Sequence, residues 1–369
     1  MQSPNIRYLP ALDHVRGYAA TLVLLYHSLH LYSYDQLFHK PFEPDAWIRA
    51  SNPLEALLIE GHTAVALFMV LSGFLFEHGA AGRRVQYFSF MRNRLLRIYP
   101  LYLILCAAGI FFYPSRFTVS GLVRTLLFQA NIPGALHLGS FTTMFWAISV
   151  EFHFYLLFPL LHRALARRGV RKVLVLVLFM ISIRAAGYFF VSNVNELAYS
   201  SLLGRLDQFL IGMAGAQVFA ARGEDFQRRA RRMLLPMILV CCAALFLYNR
   251  LGGHPAAAFW KVFWPTTEGL LWAGFLICYI ASFNSLGSLP SRLLARLGVV
   301  SYSYYLIHAI VIYTSIGRGA YLDFGLSPYK SAVLNGLLFV APLVTALAAL
   351  CYGAIERPFL RFRGRYLVD

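Results

Sequence analysis

Charged residues are scarce in this chain of 369 residues, and carboxylates are the scarcest of them. Only 13% of the residues are charged, against about 25% in soluble globular domains, while 59% are hydrophobic. No polar stretch is long enough to fold as a soluble domain, and apolar runs of about twenty residues recur along the whole chain. These features exclude a soluble globular protein and indicate an integral membrane protein.

Cysteine is also rare. The five cysteines, Cys106, Cys241, Cys242, Cys278 and Cys351, all lie inside apolar runs and lack the spacing of metal ligands. We interpret them as small buried hydrophobic residues, so we expect neither a disulfide framework nor a metal site.

The hydrophobic pattern predicts the fold class. Alternating ten-residue segments, which are typical of membrane β-barrels, are absent. Because only helices and closed barrels satisfy the backbone in lipid, we predict an all-α polytopic membrane protein that forms a single domain over residues 1–369. The N-terminus lacks signal-peptide features, so the first helix is expected to be retained. About ten transmembrane helices are predicted, over residues 9–31, 55–78, 97–114, 141–162, 173–191, 203–221, 233–248, 263–283, 297–316 and 331–355.

The excess of basic residues indicates topology. The chain has 33 Lys and Arg against 16 Asp and Glu, a net charge of +17. These cations are dispersed among short connections, which argues against a nucleic-acid partner. Most of them fall in connections on the N-terminal side of the predicted helices, such as 79–97 and 163–172. By the positive-inside rule, both termini are predicted to be cytoplasmic.

Tyr8–Leu31 is an apolar segment that nevertheless contains several ionisable residues, including Asp13, Arg16 and His27. Arg16 and His27 are eleven residues apart, so on a helix they share one face and are separated by roughly 16 Å along the axis. Ionisable groups at membrane depth usually mark an ion or substrate path. The alternative for Arg16 is a simple pair with Asp13, at i,i+3 spacing.

The connection before the third predicted helix is rich in arginine. Arg94 and Arg97, at i,i+3 spacing, share a helix face and are suited to hold phosphate with forked guanidinium donors. A cytoplasmic loop that only faces lipid head groups would explain the same cluster.

Six segments, in this order and spacing, resemble the integral-membrane acyltransferase 3 family. They are LDHVRGYAATLVLLYH (12–27), VALFMVLSGFLF (65–76), RNRLLRIYPLY (92–102), FWAISVEFHFYLLFPLL (145–161), LGVVSYSYYLIH (297–308) and ERP (356–358). The resemblance implies a ten-helix domain that transfers an acyl group, most often acetyl, from cytoplasmic acyl-CoA to a hydroxyl group of a glycan or another acceptor.

The resemblance also implies roles for individual residues. Arg16 and His27 match the family's Arg-x10-His element, and Arg94 with Arg97 matches its Arg-x-x-Arg element. The CoA phosphates would then lie at Arg94 and Arg97, with the pantetheine arm running past Arg16. His27 would act either as a general base or as a nucleophile that carries the acyl group.

Ser72 and Gly73 match a Ser-Gly-Phe segment and are candidates near the oxyanion. Glu151 matches the acid of a Trp-Ser-x-x-Glu segment, in which this chain has Ala147 where serine is common. We expect Glu151 to orient or charge-stabilise the His27 imidazole, with Asp207 as a second candidate.

His308 either lines the substrate path or is a buried, hydrogen-bonded histidine. Five further polar residues are expected to pair across helices and hold the bundle together rather than take part in catalysis: Glu60, His62, Arg184, Arg205 and Glu268.

The leading hypothesis is a membrane O-acetyltransferase of the bacterial inner membrane, with acetyl-CoA or another acyl-CoA as donor. The acceptor would be an exopolysaccharide, an O-antigen or a lipid-linked precursor, and the partners would be membrane lipid and glycan-assembly proteins. No Gly-x-Ser-x-Gly or Gly-Asp-Ser motif is present, so no fused periplasmic esterase-type domain is expected. One alternative is acylation of a small secondary metabolite, and another is a proton-coupled transporter.

Overall fold

The structure is a computed structural model that describes residues 5, 8–40, 42–44, 47–165, 169–190, 194–283 and 287–368. It is built almost entirely of helices. They are α1 (Pro10–Phe38), α2 (Pro53–Ile59), α3 (Ala64–Ala80), α4 (Tyr87–Phe112), α5 (Val119–Leu126), α6 (Phe145–Leu165), α7 (Gly169–Phe190), α8 (Val194–Ser200), α9 (Leu202–Ala221), α10 (Glu224–Arg232), α11 (Leu234–Arg250), α12 (Trp264–Ser282), α13 (Leu289–Val299), α14 (Ser301–Gly317), α15 (Pro328–Asn335), α16 (Ala341–Cys351) and α17 (Arg357–Leu360). Two short strands, β1 (Arg84–Val85) and β2 (Leu367–Val368), pair in antiparallel fashion.

The all-α membrane class is confirmed, and each of the ten predicted ranges overlaps a long helix. The last range lies on a continuous helical segment, Pro328–Leu360, in which π-helical turns join α15, α16 and α17. Within the described ranges, five helices are long and apolar enough to cross a membrane, or seven if two bent helix pairs each count as one span. Ten crossings therefore remain a prediction.

Helix α1 lies inside the bundle, in contact with α3, α13, α14 and α15. Asp13, His14 and His30 on this helix are buried. The surrounding helices offer these polar groups protein partners in place of lipid, which removes most of the cost of placing them at membrane depth.

Helices α3 and α9 approach each other closely at two glycines. A Cβ atom on Gly73 would lie 2.0 Å from the carbonyl oxygen of Phe209, and one on Gly212 would lie 2.0 Å from that of Val70. Neither position has room for a larger side chain. Gly73 therefore serves the packing of these two helices, and its neighbour Ser72 is held in place by that packing.

Asn5 and the residues that follow α17 lie together at the start of α4. The side-chain amide of Asn5 donates to the carbonyl oxygen of Gly364 at 3.1 Å, and the Gly364 amide donates to Asn93 at 3.1 Å. Residues 361–368, which we call the C-terminal strap, follow α17 and end in the β1–β2 pairing. Asn5, the strap and the connection before α4 thus lie together at one end of the molecule.

Candidate active site

A cavity of about 540 Å³ lies among α1, α3, α4, α6, α14 and the C-terminal strap. We call it the arginine cavity, because four arginines line it: Arg16, Arg94, Arg97 and Arg363. It brings together six of the residues expected from sequence. These are Asp13, Arg16, Ser72, Arg94, Arg97 and Glu151.

Two of the four arginines have a carboxylate partner. Arg16 pairs with Asp13 at 2.6 Å, so the local pair that the spacing suggested is present, and both residues still line the cavity. Arg97 pairs with the fully buried Glu356 at 2.9 Å. The guanidinium groups of these two residues are therefore partly neutralised by the protein itself.

Arg94 is held by aromatic rings instead. Its guanidinium carbon lies 4.9 Å from the ring centre of Phe76, 5.4 Å from that of Phe90 and 5.8 Å from that of Tyr155. Its buried Nε atom has no hydrogen-bond partner in the described part of the chain. Cation–π contacts fix the position of a guanidinium group but leave its N–H donors unused. Arg94 is thus arranged to bind an anion that enters the cavity.

The carboxylate of Glu151 accepts a hydrogen bond from the hydroxyl of Ser72 at 2.7 Å. Helix α6 carries Glu151 and α3 carries Ser72, so this bond links two walls of the cavity. Ala147 also lines the cavity.

His27 is paired with His308. The His308 Nε2 atom lies 3.1 Å from His27 Nδ1, and His308 Nδ1 lies 2.6 Å from the carbonyl oxygen of Tyr305. A nitrogen that faces a carbonyl oxygen must donate, so neutral His308 carries its proton on Nδ1 and accepts at Nε2. His27 Nδ1 also faces a carbonyl oxygen, that of Val23, at 3.0 Å. Its proton therefore lies on Nδ1, which leaves the lone pair of His27 Nε2 available as a base.

The histidine pair lies behind one wall of the arginine cavity. Tyr305 lines the cavity, and its ring centre is 5.7 Å from that of His308. The rings of His308 and His27 are 5.0 Å apart. His27 is only partly buried, whereas His308 is fully buried.

The expected contact between Glu151 and His27 needs correction. The side chain that orients the imidazole is His308, from α14, while Glu151 is hydrogen-bonded to Ser72 inside the cavity. The second candidate for this role, Asp207, is fully buried in an ion pair with Arg184 at 2.8 Å. That pair joins α7 to α9, and Asp207 is not among the residues that line the cavity.

A second polar region surrounds His62, and we call it the closed polar cluster. It comprises His30, Trp47, Glu60, His62, Tyr199, Arg205, Asn249, His254, Lys261 and Glu268. Glu60 accepts hydrogen bonds from Trp47 at 2.8 Å and Asn249 at 2.7 Å, and contacts His62 at 3.0 Å.

A small pocket beside His62 and Glu268 in the closed polar cluster has a volume of about 30 Å³, which is enough for about one water molecule. The prediction that polar residues pair across helices and hold the bundle together is confirmed here for Glu60, Arg205 and Glu268, which bond to Asn249, Tyr199 and Gln208, and for Arg184 at the Asp207 pair. The polar contact of His62 is local, with Glu60 two residues before it.

Sequence reasoning missed two residues of the arginine cavity region, Glu356 and Arg363. Glu356 belongs to the ERP segment, so the resemblance pointed to it without giving it a role. Arg363 is one of several arginines after the last helix, and nothing in the sequence distinguishes it from its exposed neighbours Arg361 and Arg365. Among the described residues, no group of three or more His, Cys, Asp or Glu is placed to hold a metal ion.

Comparison with known proteins agrees with this architecture. The acyltransferase domain of the acyltransferase 3 family matches residues 9–355, and the chain belongs to this family of membrane acyltransferases. It is 27% identical to acyltransferase MdmB of Streptomyces mycarofaciens, over 98% of this chain and 94% of the relative. It is 23% identical to the "Putative membrane-bound transacylase BcsY" of Komagataeibacter xylinus, over 96% of this chain and 83% of the relative. No solved structure matches the chain.

Proposed function

We propose that this membrane acyltransferase moves an acyl group, acetyl in the first instance, from acyl-CoA to a hydroxyl group of a glycan or lipid-linked glycan. The observation that carries the proposal is the arginine cavity. It offers Arg94 with unused donors, beside Arg97, and it is also lined by the first part of α1, the helix that carries His27 further along. A ligand with phosphate groups at one end and a long flexible arm suits this arrangement, because the arm can run along α1 towards the histidine pair.

The donor would bind with its phosphates at Arg94 and Arg97, and its arm would run past Arg16 towards Tyr305. Charge-assisted hydrogen bonds from guanidinium to phosphate are among the strongest polar contacts that a protein makes. A proton-coupled transporter would also place ionisable groups inside the membrane. It has no need for free guanidinium groups beside a cavity of this size, so the enzyme is favoured.

The chemical step uses the free lone pair of His27 Nε2. The acceptor hydroxyl gives its proton to Nε2 while its oxygen attacks the carbonyl carbon of the thioester. The carbon–sulfur bond then breaks, and the CoA thiolate takes the proton from the imidazolium. His308 is a positioning residue in this scheme, because its contact with Nδ1 fixes both the tautomer and the orientation of His27. The products are the acylated acceptor and free CoA.

The proposed orientation in the membrane rests on the distribution of basic residues. Asn5 and the C-terminal strap lie beside Arg83, Arg92 and Arg94, close to the arginine cavity. By the positive-inside rule this end would face the cytoplasm, where acyl-CoA is available, in a bacterial inner membrane. Membrane lipid and glycan-assembly proteins would be the remaining partners.

The test is transfer of label from radiolabelled acetyl-CoA into host polysaccharide, lipid-linked glycan and small-molecule fractions, with wild type and His27→Gln. Loss of a general base should lower the transfer rate by about two to four orders of magnitude. His30→Gln is the matched control. His30 lies three residues further along α1 but belongs to the closed polar cluster, so this variant should retain turnover per folded molecule.

The fate of the label separates the alternatives. Label that accumulates on the wild-type protein and depends on His27 would favour an acyl-imidazole carrier over a general base. If longer acyl-CoA donors work where acetyl-CoA does not, only the acyl group must be revised. If no fraction is labelled with any donor, while purified protein in vesicles moves protons with a solute, the proposed function is wrong.

A further inference from the structure

The feature that the proposed mechanism leaves unused is Arg363, on the C-terminal strap. It lines the arginine cavity together with Arg94 and Arg97, although it comes after the last helix of the chain. Like that of Arg94, its guanidinium group donates no hydrogen bond to any side chain or carbonyl group within the described ranges, although its backbone amide donates to the carbonyl oxygen of Leu360 at 3.4 Å. The guanidinium groups of two of the four cavity arginines thus have no acceptor among the described residues.

The strap is fixed on both sides of Arg363. The Arg92 guanidinium donates to the carbonyl oxygen of Phe362 at 2.6 Å, and the Asn93 side chain donates to that of Gly364 at 2.7 Å. Arg92 and Asn93 directly precede Arg94 on α4. The helix that supplies Arg94 and Arg97 therefore also holds the backbone around Arg363 in place.

More contacts fix the end of the strap. The Asn5 side chain accepts from the amide of Tyr366 at 2.8 Å, and the amide of Gln86 donates to the Tyr366 carbonyl at 2.8 Å. The Tyr366 ring is buried, with its centre 5.2 Å from that of Phe90. None of these contacts uses the Arg363 side chain, so the strap is anchored independently of it.

Arg363 lies close to the positive charges of Arg94 and Arg97, and this proximity is electrostatically unfavourable. Burial, followed by the neighbouring charges of Arg97 and Arg94, lowers the pKa of Arg363 to about 10. Guanidinium groups repel one another in a partly buried site unless an anion lies between them. Glu356 offsets only Arg97, so the charges of Arg94 and Arg363 remain for a ligand.

We infer that the C-terminal strap is part of the donor site, and that Arg363 joins Arg94 and Arg97 in binding a ligand with more than one phosphate group. The inference rests on the proposed function for the identity of that ligand as a CoA thioester. It goes further in assigning a binding role to the strap and in requiring a multiply charged phosphate ligand, since two unpaired guanidinium groups match a diphosphate or two phosphate groups better than one carboxylate.

The test is isothermal titration of the full-length protein in detergent with CoA, 3′-dephospho-CoA, pantetheine and pyrophosphate. Arg363→Gln should weaken CoA binding at least tenfold, and it should leave pantetheine binding unchanged. Arg363→Lys should bind CoA more tightly than Arg363→Gln but less tightly than wild type, because lysine restores the charge without the paired N–H donors of a guanidinium group. The matched control is Arg365→Gln, two residues further along the strap and exposed, which should bind CoA like wild type.

The outcomes separate this inference from the proposed function. If wild type binds CoA and Arg363→Gln binds it equally well, the proposed binding role of the strap is wrong, while the proposal that CoA is the donor still holds. If wild type binds pyrophosphate, Arg363→Gln does not, and neither binds CoA, the phosphate-binding role of Arg363 holds and the proposal that CoA is the donor is wrong. If wild type binds none of the four ligands, both are wrong.

Discussion

The arginine cavity and the closed polar cluster are both rich in buried charge, but they use it in opposite ways. In the closed polar cluster, Glu60 is fully buried and contacts Trp47, His62 and Asn249. The small pocket in this cluster has a volume of about 30 Å³. In the arginine cavity, the guanidinium groups of Arg94 and Arg363 have no acceptor in the part of the chain that the structure describes, and about 540 Å³ lies beside them.

The difference shows which buried charges serve structure and which await a ligand. In the closed polar cluster the carboxylates and cations have protein partners, which fix the helices relative to one another, while the buried Nδ1 atoms of His30 and His62 have no hydrogen-bond partner among the described residues. A cation left without an acceptor costs stability unless something outside the chain provides one. Proteins retain such groups at functional sites, so the proposed binding site rests on the arginines that have no described acceptor rather than on the number of polar residues.

The largest effect on stability is expected in the closed polar cluster, from Glu60→Ala. It removes the acceptor of the Trp47 and Asn249 donors, and should lower the free energy of unfolding by about 3–5 kcal/mol. Glu60→Gln, which keeps an oxygen for both donors, should lose much less. Thermal unfolding followed by tryptophan fluorescence measures both. Loss of turnover with unchanged stability would show that this cluster, too, is a working site.

An intermediate effect on stability is expected at the Arg97–Glu356 pair, because Arg97 is both paired within the protein and exposed to the arginine cavity. Arg97→Gln leaves the Glu356 carboxylate buried and unpaired, which should cost about 2 kcal/mol of stability and weaken CoA binding. The double variant with Glu356→Gln should recover the stability but not the CoA affinity, since the guanidinium is still missing. Recovery of both would mean that Arg97 serves only to neutralise Glu356.

The smallest effect on stability is expected at Arg94. Arg94→Gln removes a cation that has no acceptor among the described residues, so unfolding should be nearly unchanged while CoA binding weakens about tenfold. Arg84→Gln is the control, because Arg84 is an exposed arginine of the same connection. If the two variants bind CoA with equal affinity, Arg94 in the cavity contributes no more to CoA binding than an exposed arginine does.

The sequence predicted six of the residues that line the arginine cavity, but it did not predict that His308 is the partner of His27. The face shared by Arg16 and His27 follows from helix geometry, because residues eleven apart on one helix have a fixed relation. The partner of His27 comes from α14, and no periodicity relates residues on different helices. Glu151 was therefore expected beside His27 on chemical grounds, whereas it lies in the cavity with Ser72.

The same limit explains the residues that were misjudged or missed. Asp207 had the right chemistry for a catalytic acid, and only the position of Arg184 on another helix makes it structural. Gly73 was expected near the reacting atoms, but the approach of α9 gives it a packing role. Arg363 could not be distinguished from Arg361 or Arg365, because the contacts of Asn93 and Arg92 with the strap turn it alone towards the cavity.

The sequence by itself determined the helical membrane class, the approximate helix positions and the residue types available for chemistry. Composition and hydrophobic pattern act locally, through the need to satisfy the backbone and bury apolar side chains. The tertiary structure decided which charges are neutralised and which remain for a ligand. Ion pairs and hydrogen bonds act only over a few ångströms, so the state of each charge depends on which distant segments of the chain folding brings beside it.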